Sequence, residues 1–395
     1  MQHNETTFSV DALPRAKAGL AVFVLAMAAF AMLTTEFIIV GLLPALSRDM
    51  NISITAAGQL VTLFAFVVML FGPFLTAMLS HFERKKLFIG ILLIFVISNF
   101  LAAMATNYWM LACARILAAL ALPVFWGTAS ETAAQLAGPG RSSQAVARVY
   151  LGVTGALVFG IPLGTLAGDA LGWRGSFWLI GALCLIAVLM LMIFMPKSHP
   201  INELKEGEKQ TVILKDWRFL VHVLLSVVVF TSMFTAYTYL ADILERIAGI
   251  PTAHIGWWLM GFGVVGMAGN HYAGRLVERG AVGATLFLLA VLSVGVILSI
   301  LFAGNSMLLV IPLALWGVAY TALFPVCQIR VMQAGSKAQA LAGTLNVSAA
   351  NGGIGLGALF GGLGIQHLGL SSLGWVSALF ALLAALLCLQ LSRIK

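Results

Sequence analysis

Two stretches of the chain read as copies of each other: AGPGRSSQAVARVYLGVTGALVFGIPLGTLAG over 137–168 and AGSKAQALAGTLNVSAANGGIGLGALFGG over 334–362. Each opens on a small-residue turn carrying one basic residue, Arg141 or Lys337, and continues through Gln144 or Gln339 into alternating Ala and aliphatic residues. Glycines four apart follow: Gly160, Gly164 and Gly168 in the first, Gly353, Gly357 and Gly361 in the second. From Gln144 to Gln339 is 195 residues, half of the 395-residue chain. Glycines at that spacing let neighbouring helix backbones approach closely. The offset predicts two similar halves related as parallel repeats, with the fifth helix of the chain matching the eleventh.

Composition names the solvent of these helices. Hydrophobic residues make up 61% of the chain, charged residues 9%, and mean hydropathy is +1.03. Soluble domains carry roughly 25% charged residues, so this chain cannot cover its own surface in water. Its length suits about twelve spans of roughly 20 residues each. The expected fold is an all-α membrane protein of two pseudo-symmetric six-helix bundles. Helices are expected at 18–45, 55–80, 86–106, 108–135, 143–171, 175–196, 217–248, 253–278, 281–303, 306–333, 338–368 and 371–393. The organisation expected is a tail over 1–17, a first bundle over 18–196, a central loop over 197–216 and a second bundle over 217–395. The first apolar run, 18–44, far exceeds a signal-peptide core of roughly 7–15 residues, so it reads as a first span. Cys113, Cys184, Cys327 and Cys388 lie in apolar runs without metal-ligand spacing and read as packing residues.

Charge distribution orients the spans. With both termini cytoplasmic, 18 of the 22 Lys and Arg residues fall on the cytoplasmic side, three (Arg48, Arg174, Arg246) fall on the other, and Arg115 lies inside a helix. This positive-inside bias accounts for the net charge of +8 without a nucleic-acid partner. The location it implies is a bacterial inner membrane.

Ionisable groups inside the bilayer are the first functional candidates, because each must face a cavity or a partner. Glu36 lies in the outer part of the first helix and Arg115 at similar depth in the fourth, so the two are placed to meet. Burial favours the neutral acid and the guanidinium favours the carboxylate, which makes Glu36 and Arg115 the proton-coupling candidates. Glu131, near the end of the fourth helix, is expected to contact Arg141 or Arg148, and Asp242, Glu245 and Arg246 to be solvated or gating. His222 and His271 read as packing residues.

Aromatic and amide residues outline a substrate wall. Phe230, Phe234 and Tyr237 recur at helical spacing in the seventh helix, Tyr320 and Phe324 in the tenth, and Phe125 and Trp126 sit in the fourth. Thr35, Asn346 and Asn351 add polar groups. An aromatic, amide-lined cavity suits an uncharged or weakly charged amphipathic molecule.

Several motifs carry a family resemblance. Gly274-Arg-Leu-Val-Glu278-Arg279-Gly280 resembles the loop signature of the major facilitator superfamily, and Ser80-His-Phe-Glu83-Arg84-Lys-Lys86 is its first-half counterpart, with Ser80 in place of the acid. The stretch with Gly160, Pro162 and Gly164, ending in Gly172-Trp173-Arg174, resembles the antiporter motif of proton-driven exporters in that superfamily. Thr34-Thr35-Glu36-Phe37 and the intramembrane Arg115 resemble the drug:proton antiporter-1 branch, and within it the sugar-efflux, arabinose-efflux-like and purine-ribonucleoside-efflux transporters. The resemblance implies a proton-coupled antiporter exporting a small amphipathic molecule by alternating access, as a monomer and without a cofactor. Uptake by symport is the alternative, and a non-transporting receptor a third reading. No metal spacing, nucleophile elbow or phosphate-binding loop points to an enzyme.

Overall fold

The computed structural model describes residues 15–138, 141–197 and 210–393. In chain order the helices are α1 Arg15–Met50, α2 Ile54–Leu79, α3 Arg84–Ala103 and α4 Tyr108–Ala137. Next, α5 runs through Ser142–Gly155, a π-turn at Ala156–Gly160 and Ile161–Leu171, and is followed by α6 Trp173–Phe194. The rod α7 comprises Trp217–Tyr237, a short turn Leu240–Asp242 and a π-turn Ile243–Ile247. Last come α8 Thr252–Glu278, α9 Ala281–Leu301, α10 Ser306–Ala334, α11 Gln339–Leu368 and α12 Leu373–Arg393. Side-chain caps open several of them. Ser53, Asn107 and Asn305 accept backbone N–H bonds at 3.0 Å, the usual way to satisfy the first turn.

The helices differ from expectation in three places. The first is longer at both ends than 18–45. The seventh is not continuous over 217–248 but breaks at Thr238 and Tyr239. The central loop, expected over 197–216, holds a 3₁₀ turn at Gln210–Lys215. Its Ile213 is buried with Phe219, Val331, Ala338 and Ala342. In α5, Pro162 has no N–H to give, and the ladder widens just before it, with the Ile161 N–H reaching the Ala156 carbonyl.

Ten helices among the described residues are long and apolar enough to cross a membrane, which makes this an all-helical, multi-pass membrane protein. The long helices α8 and α11 fall outside those ten. They carry His254, Asn270 and His271, or Asn346, Asn351 and Gln366, among many glycines. Both pack along the seam between halves, α8 against α5 and α11 against α2, where a polar side chain meets protein rather than lipid.

The two glycine stripes do the same work in each half. A Cβ at Gly160 or Gly164 would strike Thr34 or Ile38 of α1. A Cβ at Gly357 would lie 2.7 Å from the Thr231 carbonyl oxygen and 2.9 Å from Phe234 Cβ of α7. Thus α5 packs on α1 as α11 packs on α7.

Contacts between the halves include several toward one end. Among the described residues, three side-chain hydrogen bonds cross the seam: Arg48 to Glu245, Thr55 to the Gly362 carbonyl at 3.3 Å, and Thr62 to the Gly355 carbonyl at 3.2 Å. Gly256 rests on Leu166, Gly263 on Leu157 and Val158, and Gly352 on Met69. Most of these lie between mid-helix and the end that carries Arg48, Arg174 and Arg246, called here the far end, while Gly352 and Met69 meet near mid-helix. Toward the opposite, basic end, Phe71, Phe74, Tyr150, Leu151, Met267 and Tyr272 are exposed.

Gly357→Ala is expected to lower the thermal midpoint of the detergent-purified protein, by overpacking of about 1–3 kcal/mol. Gly90→Ala, at a site with open space around it, should leave the midpoint unchanged or raise it. Equal shifts would show that the stripe carries no packing.

Candidate functional site

The site is built around one turn of α1. Thr34 and Thr35 return their hydroxyls to the Phe30 and Ala31 carbonyls at 2.7 and 2.9 Å, which satisfies them inside the helix. Thr35 also accepts an N–H from Asn99 of α3 at 3.1 Å, so it faces the interior of the first half. From α4, the buried Arg115 donates to the Thr35 carbonyl and, at 2.6 Å, to the Glu36 carbonyl. Its guanidinium lies 4.3 Å from the Phe64 ring centroid. A charge at mid-bilayer costs about 2.5–3.5 kcal/mol on insertion scales. Two hydrogen bonds from a charged donor, at about 1.5–3 kcal/mol each, offset it.

Arg115 therefore reaches Glu36 at its main chain and not at its carboxylate. Among the described residues the Glu36 side chain makes no hydrogen bond and no ion pair, and the residue is 7% exposed. An unpaired carboxylate thus sits in the protein interior with narrow access to solvent.

Beside it the halves touch through rings. Phe37 stacks on Phe234 of α7 with centroids 5.7 Å apart. Phe234 neighbours Phe230, Tyr237, Tyr320 and Phe324, and Tyr237 stacks on Tyr320 at 4.2 Å. Phe262 of α8 and Trp316 of α10 complete this cluster. Five of the aromatic residues expected to line a site are therefore gathered in the second half. Phe125 and Trp126 belong to another group, with Phe88 and Tyr150, inside the first half. Polar atoms remain open near the cluster on α10 and α11. Trp316 Nε1, Tyr320 Oη, Asn346 Oδ1 and Asn351 Oδ1 are buried without a hydrogen-bond partner, while Asn346 donates to Gln328 at 2.6 Å.

The conformational motifs separate into two kinds. Arg84 is buried at the basic end, where it donates to the Ser80 carbonyl at 2.6 Å and pairs with Glu131 at 2.9 Å. Glu131 thus meets Arg84 and Gln135 rather than Arg141 or Arg148. Glu83 pairs with Lys86 at 3.6 Å. In the second half Gly274 lies within α8, and the exposed Glu278 and Arg279 have no ion pair among the described residues. The Gly172-Trp173-Arg174 corner ties down α1. Gly172 takes φ 76°, and Trp173 and Arg174 donate to Asp49 at 2.9 and 2.6 Å.

Several groups were misplaced by the sequence reading. Arg330, counted there as a loop charge, is buried in α10 and donates to Thr285, Ser226 and the His222 carbonyl. An arginine four residues from a helix end looks like a terminal anchor unless the helix beside it is known. Asp242, expected to be solvated or gating, is fully buried and so not solvated. His222 keeps an unpartnered buried Nδ1, and His271 is exposed. Cys113 is exposed rather than a core packer. Phe64 and Phe262 carried no distinguishing signal in an apolar sequence.

Two halves of membrane-crossing helices, closed over a seam at one end and lined there by ionisable and aromatic groups, define a membrane transporter. The chain belongs to the Major Facilitator Superfamily, whose profile matches residues 25–335. It is 34% identical to the inner membrane transport protein YdhP of Escherichia coli (strain K12) over 93% of this chain and 95% of that protein. It is also 30% identical to a probable sugar efflux transporter of Helicobacter pylori (strain G27), over 92% of this chain and 93% of that one. Among solved structures, a bacterial homolog of the human lysosomal transporter Spinster superposes with TM-score 0.79 at 16% identity, over 96% and 97% of the two chains. The nucleoside transporter NupG superposes with TM-score 0.75 at 13% identity, over 95% and 98%. These structural likenesses establish the fold.

Lysine at position 115 keeps the charge but offers a point donor in place of the planar fork. Arg115→Lys is expected to lower the unfolding free energy by about 1.5–3 kcal/mol, one charge-assisted hydrogen bond, read as a fall in thermal midpoint. An unchanged midpoint would show that the double contact to α1 carries no stability.

Proposed function

We propose that this protein is a proton-coupled exporter in which Glu36 carries the proton. The observation behind this reading is the arrangement around α1. Arg115, the cation closest to Glu36, spends its guanidinium on main-chain carbonyls and leaves the carboxylate unpaired. Glu36 can then gain or lose a proton without breaking a salt bridge. Its neighbour Phe37 leans on Phe234 across the seam, so a change of charge at Glu36 acts where the two halves meet.

In this reading all twelve helices cross a bacterial inner membrane, both termini are cytoplasmic, and the bundles over 18–196 and 217–395 rock against each other. The basic end is the cytoplasmic side by the positive-inside rule. With contacts across the seam toward the far end, a substrate for export loads from the basic, cytoplasmic end. The glycine stripe of α5 lies directly on the α1 segment that holds Glu36, with Gly160 against Thr34 and Gly164 against Ile38. Movement of α5 is thereby felt at the carboxylate. In the loop motifs, Arg84 with Glu131, and Glu83 with Lys86, brace the basic end of the first half, and Glu278 and Arg279 stay free to pair when that end closes.

The substrate is a small amphipathic molecule. The Phe230, Phe234, Tyr237, Tyr320 and Phe324 rings offer flat apolar surfaces, and Asn346 and Asn351 on α11 offer open amide oxygens. A glycoside, a nucleoside or an uncharged drug fits that mixture of surfaces. Relatives described as a probable sugar efflux transporter and a nucleoside transporter point the same way.

A thermal-shift screen of sugars, nucleosides and amphipathic antibiotics identifies a stabilising compound for transport assays. In inside-out vesicles, Glu36→Gln should abolish export driven by a pH gradient while exchange of labelled for unlabelled compound survives. Full gradient-driven export by that variant would remove Glu36 from the mechanism.

A further inference from the structure

At the far end of the seam lies a second carboxylate in an unusual setting. Asp242 is fully buried, and neither of its side-chain oxygens has a hydrogen-bond partner. The nearest cation, Arg246, comes within 3.5 Å without hydrogen-bond geometry, and its own side chain is 61% exposed. Solvent screening weakens such a half-exposed pair. The backbone is also irregular here. Helix α7 breaks at Thr238 and Tyr239, makes one turn over Leu240–Asp242 and widens into the π-turn Ile243–Ile247. The Thr238 hydroxyl is buried and unpartnered as well. Single π-turns in membrane helices recur at functional positions.

The position matters as much as the burial. The Leu240–Asp242 turn packs against α1 of the other half, so Asp242 is enclosed by the closed seam itself. The ionisable groups around it are Tyr239, Glu245 and Arg246 on its own rod, and Arg48 on α1. Of these, Arg48 is paired with Glu245, and the Tyr239 hydroxyl donates to the Ala358 carbonyl at 2.8 Å. That leaves no strong donor for Asp242. Arg246 also lines a cavity of about 510 Å³ at the far end, with Ser47, Ser53, Thr55 and Gln366, which brings water up to the guanidinium next to the carboxylate.

We propose that Asp242 is a second proton-binding site, one that locks the far end: closing the seam encloses the carboxylate and takes up a proton there, and opening the seam releases it. A buried carboxylate whose one partner is a half-exposed arginine at 3.5 Å bears a desolvation cost as an ion, and a bound proton or renewed contact with water relieves that cost. Linkage makes the effect reciprocal, so proton binding at Asp242 favours closure by the same factor that closure favours proton binding. The proton arrives from the outer cavity past Arg246. This site rests on the alternating-access reading above but is separate from Glu36. It times closure of the outer gate rather than driving substrate across.

The test measures the far-end distance between spin labels at Ala170 on α5 and Gln366 on α11, both exposed, with Cys113→Ser removing the exposed native thiol. Arg48→Ala, which loses the ion pair across the seam, is measured alongside to enlarge the open population. From acid to alkaline pH the open population should rise by up to about tenfold per pH unit, the limit for one proton. Asp242→Asn, which mimics the protonated acid, should stay closed throughout. A pH response in Asp242→Asn equal to that of its parent would overturn the proposal while leaving alternating access intact. A far end that never opens in any variant at any pH would overturn both. A readout that needs no substitution at 242 uses dicyclohexylcarbodiimide, which modifies protonated carboxyls in apolar surroundings. The Asp242 peptide should be modified at acid pH and lose modification as pH rises, and absence of modification at every pH would contradict proton binding there.

Discussion

In a hydrocarbon solvent a buried guanidinium has to find oxygen atoms, and the fork of Arg115 finds two on the main chain of α1. A carbonyl in a helix keeps a second lone pair after its own ladder bond, so Thr35 and Glu36 can each accept without unwinding. That contact fixes α4 against α1 at the depth where α1 carries its acidic side chain. It also sets what the acid can do. Had the guanidinium met the carboxylate, the pair would have been a permanent strut, costly to break once buried. Because it meets the backbone, the cation stays close while the carboxylate stays unpaired.

The rest of the structure arranges motion around this point. Glycine stripes hold α5 on α1 and α11 on α7, which lets each half pack as one body. The halves meet through small residues, rings and three side-chain hydrogen bonds among the described residues. The three cations at the far end each have an acid: Arg48 with Glu245 across the seam, Arg174 with Asp49, and Arg246 with Asp242. At the basic end the first half is braced by Arg84 and Glu131, whereas the second half buries Arg330 among hydroxyls and a carbonyl, with no ion pair among the described residues. The halves share a packing plan and differ in where they place charge.

Much of this was legible in the sequence because lipid limits what a helix can hide. Apolar runs and the repeat at 195 residues located the rods, since one fourfold glycine spacing needs one kind of close neighbour. Glu36 and Arg115 stood out because a charge inside an apolar run has to be accommodated. What could not be read was direction around each helix axis. Thr35 turned to Asn99, Phe125 and Trp126 turned into their own half, and Arg115 chose carbonyls over the carboxylate. Each outcome depends on neighbours distant in sequence. The break in α7 escaped for a related reason. No Gly or Pro marks Thr238–Tyr239, and the irregular turn is held by tertiary contacts, among them the Tyr239 hydroxyl on the Ala358 carbonyl. Charges near helix ends misled most, because Arg330 and Asp242 resemble loop anchors until the helices beside them are in place.

The central claim is that the Glu36 carboxylate exchanges a proton inside the folded protein. Infrared difference spectroscopy of the detergent-purified protein across a pH titration addresses it directly, through the C=O stretch of protonated carboxylic acids in apolar surroundings. The account predicts a band that appears and disappears with pH in the wild type and is missing from Glu36→Gln. A Glu36→Gln spectrum that keeps every titrating carboxyl band of the wild type would contradict it.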